Sequence, residues 1–321
     1  MATFQEFAEA VLVPIQLFLA MLGMGATLTV SDFLKVFAQP RGLAVGLGVQ
    51  WLVVPALAAL FIALFSLSPG WAVGLVLVAS VPGGATSNLF TFLGRGNVPL
   101  SIAVTTVTTL ACIGVIPAIL RILAAPYLPE GFAFPTLRIL RDIALYLLAP
   151  LALGMVIRRF WAARAEAFSR WSIRGSVLCI LVIATSSLGS GRIEVQAYGW
   201  GPPLVLVGFL LSIAIVAPIV VRLLGHDDAD ATAIGIEAVV RNVGIGLLLL
   251  RFFFPDDPDA NGHILFTCLF YSGASGAFAL PLLFRGRAKA QALAESEEAE
   301  SESESGDSES EEASAESGST T

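Results

Sequence analysis

An all-α polytopic membrane protein is the fold class this sequence predicts, and three observations carry the prediction. Hydrophobic residues make up 56% of the 321 and charged residues only 13%, against roughly 45 to 50% and 25% in soluble domains. Apolar runs of about 20 residues, the length a helix needs to cross a bilayer core ~30 Å thick, recur along most of the chain, and the mean hydropathy is +0.82. Basic residues gather on alternate connecting segments, as they do when successive spans reverse direction.

About nine spans can be marked, at roughly residues 8–28, 42–65, 71–94, 98–121, 142–157, 174–191, 200–223, 231–253 and 263–284. The first follows Glu6 and Glu9 with no basic residue before it, unlike the charged start of a signal peptide, so it is expected to stay attached. With the N-terminus outside, Lys35, Arg41, Arg95, Arg158, Arg159, Arg164, Arg170, Arg174, Arg222, Arg285, Arg287 and Lys289 fall on the cytoplasmic side. Arg121, Arg138, Arg141, Arg192 and Arg251 fall opposite, and Arg241 lies mid-span. The excess predicts N-out, C-in, in a plasma (inner) membrane, and requires an odd number of spans.

The third and eighth spans are interrupted. Val81-Pro82-Gly83-Gly84 places a proline and two glycines in the middle of one, where proline removes a helix hydrogen bond and glycine loosens the backbone. Gly235 to Gly244 places Glu237, Arg241 and Asn242 in the other, and such groups rarely face lipid. The two breaks fall in spans of opposite direction, which is the logic of inverted repeats whose discontinuous helices hold ions and substrate near the midplane. Gly42-x-x-x-Gly46 and Gly70-x-x-x-Gly74 match the small-residue packing motif.

The net charge of −7 belongs to the C-terminus: eleven acidic and no basic residues follow Lys289, so residues 1–289 carry a net charge of +4. Residues 290–321 form a Ser/Glu/Ala tail without aromatic residues. Such a composition buries too little apolar surface to offset its ordering entropy, so the expected organisation is a transmembrane domain over 1–289 and a disordered cytoplasmic extension over 290–321. A regulatory role for it is the alternative to simple solvation. Cys112, Cys179 and Cys268 lie in apolar segments with no CxxC spacing and suggest neither a metal site nor disulfides.

Chemistry concentrates around the breaks. Ser101, Thr105 and Thr109 recur every four residues on one helical face, although such hydroxyls also bond the preceding turn's carbonyls in membrane helices. Ser87 and Asn88 follow the first break, and Glu237 offers a carboxylate. Hydroxyls, an amide oxygen and one carboxylate form the hard oxygen set that suits sodium, by the same logic that governs calcium and magnesium.

Three motifs carry a family resemblance: Gly23-Met24-Gly25-Ala26-Thr27-Leu28 with Ser31-Asp32-Phe33, Pro82 to Asn88, and Gly94 to Ser101. Through them, and through Glu237 to Gly244, the chain resembles the bile acid:sodium symporter family over roughly residues 10–285. The resemblance implies a core of spans two, three, four, seven, eight and nine, a panel of spans one, five and six, and sodium-coupled symport of a small organic anion by alternating access. It implies a first sodium site at Ser87, Asn88, Ser101, Thr105 and Glu237, and a second at Gln50, Glu237 and the carbonyls of Ala238 and Val240. At the second site the family's glutamine is replaced by Arg241, so one sodium is expected intact and the second altered. Three readings of Arg241 stand: pairing with Glu237 four residues earlier, filling the cation position itself, or capturing a substrate carboxylate. Where family members carry a His-Asn pair in the last span, Tyr271 and Ser272 stand here; with Thr86 and Asn242 they are the candidate substrate contacts.

Rival functions are weaker. An enzyme finds no HExxH, GxSxG or Walker-type motif, and His226 and His263 lie near span ends. A receptor or scaffold would have to signal through the tail. An arsenite-type exporter would lean on Cys112 alone, and a sodium-independent organic-anion carrier would leave the oxygen set unexplained. The lipid bilayer and the anion are the expected partners, with no nucleic acid and no protein partner inferable.

Overall fold

The computed structural model describes residues 11–29, 31, 40–189, 198–254 and 256–317. Asp32, Phe33, Lys35 and Arg192, used in the motif and the charge pattern, lie outside them. In chain order the helices are α1 (Val13–Gly25), α2 (Pro40–Phe65), α3 (Pro69–Ser80), α4 (Ala85–Leu93), α5 (Val98–Tyr127), α6 (Thr136–Phe160), α7 (Ala162–Gly189), α8 (Gly201–Leu223), α9 (Asp228–Val239), α10 (Val243–Phe252) and α11 (Pro258–Ser317). Among the described residues α2, α5, α6, α8 and the opening 25 and 35 residues of α7 and α11 are long and apolar enough to cross a membrane. The protein is therefore an all-α polytopic membrane protein. The six long helices overlap six of the predicted spans; the first predicted span overlaps the shorter α1, and the third and eighth overlap the half-helix pairs α3/α4 and α9/α10.

Local sequence explains the boundaries. Proline opens α1, α3, α5 and α8 within their first two positions, where its missing N–H costs nothing. Asn97 caps α5 by accepting from the Leu100 amide at 3.1 Å, and Asp227 caps α9 by accepting from the Asp230 amide at 2.8 Å, each satisfying an otherwise orphan donor. Within α2, residues Val49–Val53 form a π-helical turn just before Pro55; the widened turn carries Gln50, and such bulges recur at functional positions.

Close packing depends on small residues. A Cβ on Gly25 of α1 would strike the Leu151 carbonyl of α6, and one on Gly154 of α6 would strike the Leu22 carbonyl. Gly70 and Gly74 of α3 lie against Ala260 and Thr267 of α11, and Gly42 and Gly46 of α2 against Leu100 and Val104 of α5. Both GxxxG spacings are thus helix–helix seams, as their motif predicts. The helix α1 packs on α6 and α7 and touches α10, while α9 packs on α8, α11, α5 and α4.

Ionic groups tie the helix ends. Arg222 and Lys289 both bind Asp228, and hydrogen bonding from Lys289 first, with Arg222 adding to it, holds the Asp228 carboxyl below its usual range. Asp230 accepts from Asn97 at 2.7 Å and meets His226 at 2.8 Å. Elsewhere Asp142 of α6, fully buried, is bound by Arg141 beside it and by Arg251 of α10. The last helix is continuous from Pro258 to Ser317, in keeping with the good helix propensity of the Ala and Glu residues in its acidic segment.

Candidate functional site

The third and eighth spans break where they cross. Pro82 forces the residue before it out of helical conformation, and Val81 is extended at φ −76°, ψ 152°; α4 resumes after Gly84. Val240, at φ −92°, ψ 96°, ends α9 three residues before α10 begins. The two short extended segments pair antiparallel through Gly83 and Arg241. The Gly84 amide donates to the Val240 carbonyl and the Asn242 amide to the Pro82 carbonyl, both at 2.8 Å. This pairing satisfies backbone groups that two broken helices would otherwise leave bare in lipid, and it brings the side chains of both breaks to one place.

Five predicted oxygen ligands converge there. Glu237, completely buried, receives the Ser87 hydroxyl in a close hydrogen bond, the Thr105 hydroxyl at 2.5 Å and the Ser101 hydroxyl at 3.2 Å. Asn88 Oδ1 lies 2.8 Å from Ser101 Oγ and 3.5 Å from Thr105 Oγ1. The two readings of the threonine hydroxyls both hold at Thr105, which also reaches the Ser101 carbonyl at 2.9 Å. Thr108 is spent on the Val104 and Thr105 carbonyls, and Thr109 Oγ1 and Thr106 Oγ1 have no partner among the described residues. The donor set is entirely oxygen with a single carboxylate, which fits a hard monovalent cation and not a thiophilic one. Hydroxyl hydrogens rotate freely, so the same oxygens that now donate to Glu237 can turn their lone pairs to an ion. Gly83 is required here, since a Cβ on it would collide with the Glu237 carboxylate.

Arg241 points away from that cluster. Its Nε donates to the Ala238 carbonyl at 3.0 Å, Nη1 to the Ala79 and Val81 carbonyls at 2.9 and 2.6 Å, and Nη2 to Gln50 Oε1 at 2.6 Å. No hydrogen bond or ion pair joins it to Glu237 among the described residues, so the pairing reading finds no contact. Gln50 in turn donates to the Glu237 carbonyl at 3.0 Å. Arg241 is 6% exposed and its acceptors are neutral oxygens, three of them carbonyls at the two breaks and the fourth the Gln50 amide, the kind of oxygens that could bind a metal cation.

Among the described residues no hydrogen bond joins the four substrate candidates to one another. Thr86 is exposed and Ser272 half-buried. Tyr271 is fully buried and its hydroxyl donates to the Val239 carbonyl at 2.9 Å, closing the free end of α9. Asn242 is buried, and its amide reaches only the Met21 thioether, at 3.6 Å. Thr91, not singled out in the sequence, joins the cluster through Ser101 at 3.3 Å; its spacing of four from Ser87 is the signal that marks it. The Ala79 and Val81 carbonyls are legible only from the fold, because any residue supplies a carbonyl.

Residues 14–190 match the model of the Sodium Bile acid symporter family. The chain is 31% identical over 242 residues to the uncharacterized sodium-dependent transporter YocS of Bacillus subtilis, a match covering 73% of this chain and 72% of that one. It is 30% identical to the probable chloroplastic sodium/metabolite cotransporter BASS1 of Arabidopsis thaliana, covering 72% and 57%. It is 27% identical to the sodium-dependent organic anion transporter of Bos taurus, covering 74% and 62%.

Proposed function

The chain belongs to the sodium bile acid symporter family, a family of transporters and not enzymes, and on that premise we propose that it carries a small organic anion across the bilayer in symport with sodium. The observation that carries this reading is the buried Glu237 ringed by the hydroxyls of Ser87, Ser101 and Thr105 with Asn88 beside them. A carboxylate at membrane depth is expensive unless a partner neutralises it, and among the described residues Glu237 is joined to no basic side chain. Sodium in that cage supplies the missing charge, and Ser87, Asn88, Ser101, Thr105 and Glu237 are the residues that hold it.

We assign the second cation position to the Arg241 guanidinium, so that a single sodium is coupled to each cycle. Four neutral oxygens already surround it, and two unit positive charges 4 Å apart repel by about 4 kcal/mol at an effective dielectric of 20. A second sodium among the same carbonyls would have to overcome that repulsion. The core-and-panel division, the N-out and C-in orientation, the plasma (inner) membrane and a solvated cytoplasmic tail belong to the same reading. The packing of α1 with α6 and α7 supports the panel, and sodium binding at the crossing favours one arrangement of core against panel, which is how an ion biases a two-state equilibrium.

The test is sodium-dependent uptake of small carboxylates into proteoliposomes, with sodium-induced thermal stabilisation of the purified protein alongside. Glu237→Gln is expected to abolish both, because ion binding to the folded state raises its stability by mass action and the amide removes the charge that attracts the ion. Full retention of the sodium response in that variant would refute the site.

A further inference from the structure

Gln16 lies on α1 with 3% of its surface exposed. One end of its amide is occupied, Nε2 donating to Ser176 Oγ of α7 at 2.9 Å. The other end is not: Oε1 is buried without any hydrogen-bond partner among the described residues. That free end lies against Gly244 of α10, where an added Cβ would come within 2.5 Å of it, so glycine at 244 is what admits the amide. Two residues before Gly244, at the crossing itself, the buried Asn242 amide finds only the Met21 thioether of the same α1. An acceptor left bare in a buried site costs about 1 to 3 kcal/mol, and a thioether is a weak acceptor for an amide N–H. The seam between α1 and α10 therefore holds an unfilled acceptor contributed by one helix group and an under-used donor contributed by the other. The bond to Ser176 accounts for one end of the amide only, and nothing in the packing of the seam accounts for the bare acceptor at the other.

Resting on the transport reading above, we propose that Gln16 is a specificity-determining residue of the substrate site, and that the substrate is a small carboxylate that also bears a hydroxyl group. The Asn242 amide takes an oxygen of the carboxylate, and Gln16 Oε1 takes the hydroxyl proton from across the seam. Each group then gains the partner it lacks, and the substrate links the α1 group to the crossing. Deoxy analogues of the same carboxylates leave Oε1 bare and are taken up less well, because the buried acceptor then stays unpaired.

The experiment uses the full chain in proteoliposomes with an inward sodium gradient and the carboxylate pairs lactate and propionate, 3-hydroxybutyrate and butyrate, and glycerate and lactate. Wild type is expected to favour the more hydroxylated member of at least one pair by roughly tenfold, the scale of one hydrogen bond to an otherwise unsatisfied group. Gln16→Leu is expected to bring that ratio close to one with the sodium midpoint of stabilisation unchanged. Ser176→Ala, which frees only the occupied end of the amide, is expected to keep the preference, separating substrate contact from a role in joining α1 to α7. Should Gln16→Leu not fold, Gln16→Met fills the same space with an unbranched chain and carries the same expectation. A preference that survives in a folded Gln16 variant, or its absence in wild type that takes up these acids with sodium, overturns this inference and leaves symport standing. No sodium-stimulated uptake of any of the acids overturns both.

Discussion

Ser101 and Thr105 stand one turn apart on α5 and donate to different oxygens of Glu237, at 3.2 and 2.5 Å. If they ligate sodium, Ser101→Ala and Thr105→Ala each raise the sodium midpoint several-fold, about 1 kcal/mol per lost contact, while expression and thermal stability without sodium change little. A sodium titration of melting temperature checks this, and an unchanged midpoint would reduce the hydroxyl to bonding its own helix. At this scale much of the site was legible, because hydroxyls four apart share a helix face and a carboxylate in a lipid-length segment needs a reason. What remained hidden was direction. Arg241 lies one turn after Glu237, a spacing that suits an ion pair, but α9 ends at Val239, and the arginine leaves on extended backbone toward Ala79, Val81 and Gln50. Tyr271 was hidden for a similar reason, its hydroxyl being drawn to the carbonyl that the same break sets free.

Pro82 and the two glycines after it were a readable signal that α3 would stop, and the carboxylate and guanidinium near Val240 that α10 would not continue α9. The antiparallel pairing of the two breaks was not readable, since it depends on Gly84 and Asn242 meeting carbonyls some 160 residues away. Gly83 makes that crossing specific to glycine. In Gly83→Ala the methyl group competes with the Glu237 carboxylate for the same space, so the sodium midpoint of stabilisation is expected to rise at least tenfold even where the variant folds. Normal sodium affinity in Gly83→Ala, measured by the same titration, would mean that the carboxylate does not occupy this position when the ion binds. The small-residue spacings of α2 and α3 were read as packing and are packing.

For the whole molecule, the alternation of basic segments and the apolar runs specified a polytopic bundle before any contact was known, whereas the grouping of helices came from family resemblance and from the packing of α1 on α6 and α7. None of the groups assigned to the crossing comes from the segment after Lys289, so deletion of residues 290–321 is expected to leave sodium-dependent uptake within about twofold of the full chain, most surface changes being nearly neutral; loss of uptake would favour a regulatory tail. The claim on which the mechanism turns is that a fixed guanidinium has replaced one sodium. It is tested by the sodium binding isotherm of the purified protein, wild type against Arg241→Gln. Replacement predicts a Hill coefficient near one for wild type and a steeper curve for Arg241→Gln, because an amide beside Gln50 and the Ala79, Val81 and Ala238 carbonyls opens the position to a second ion. A wild-type curve that is already steep, or an Arg241→Gln protein that loses about 3 to 5 kcal/mol of stability, as when one partner of a buried ion pair is removed, with its slope unchanged, would contradict it.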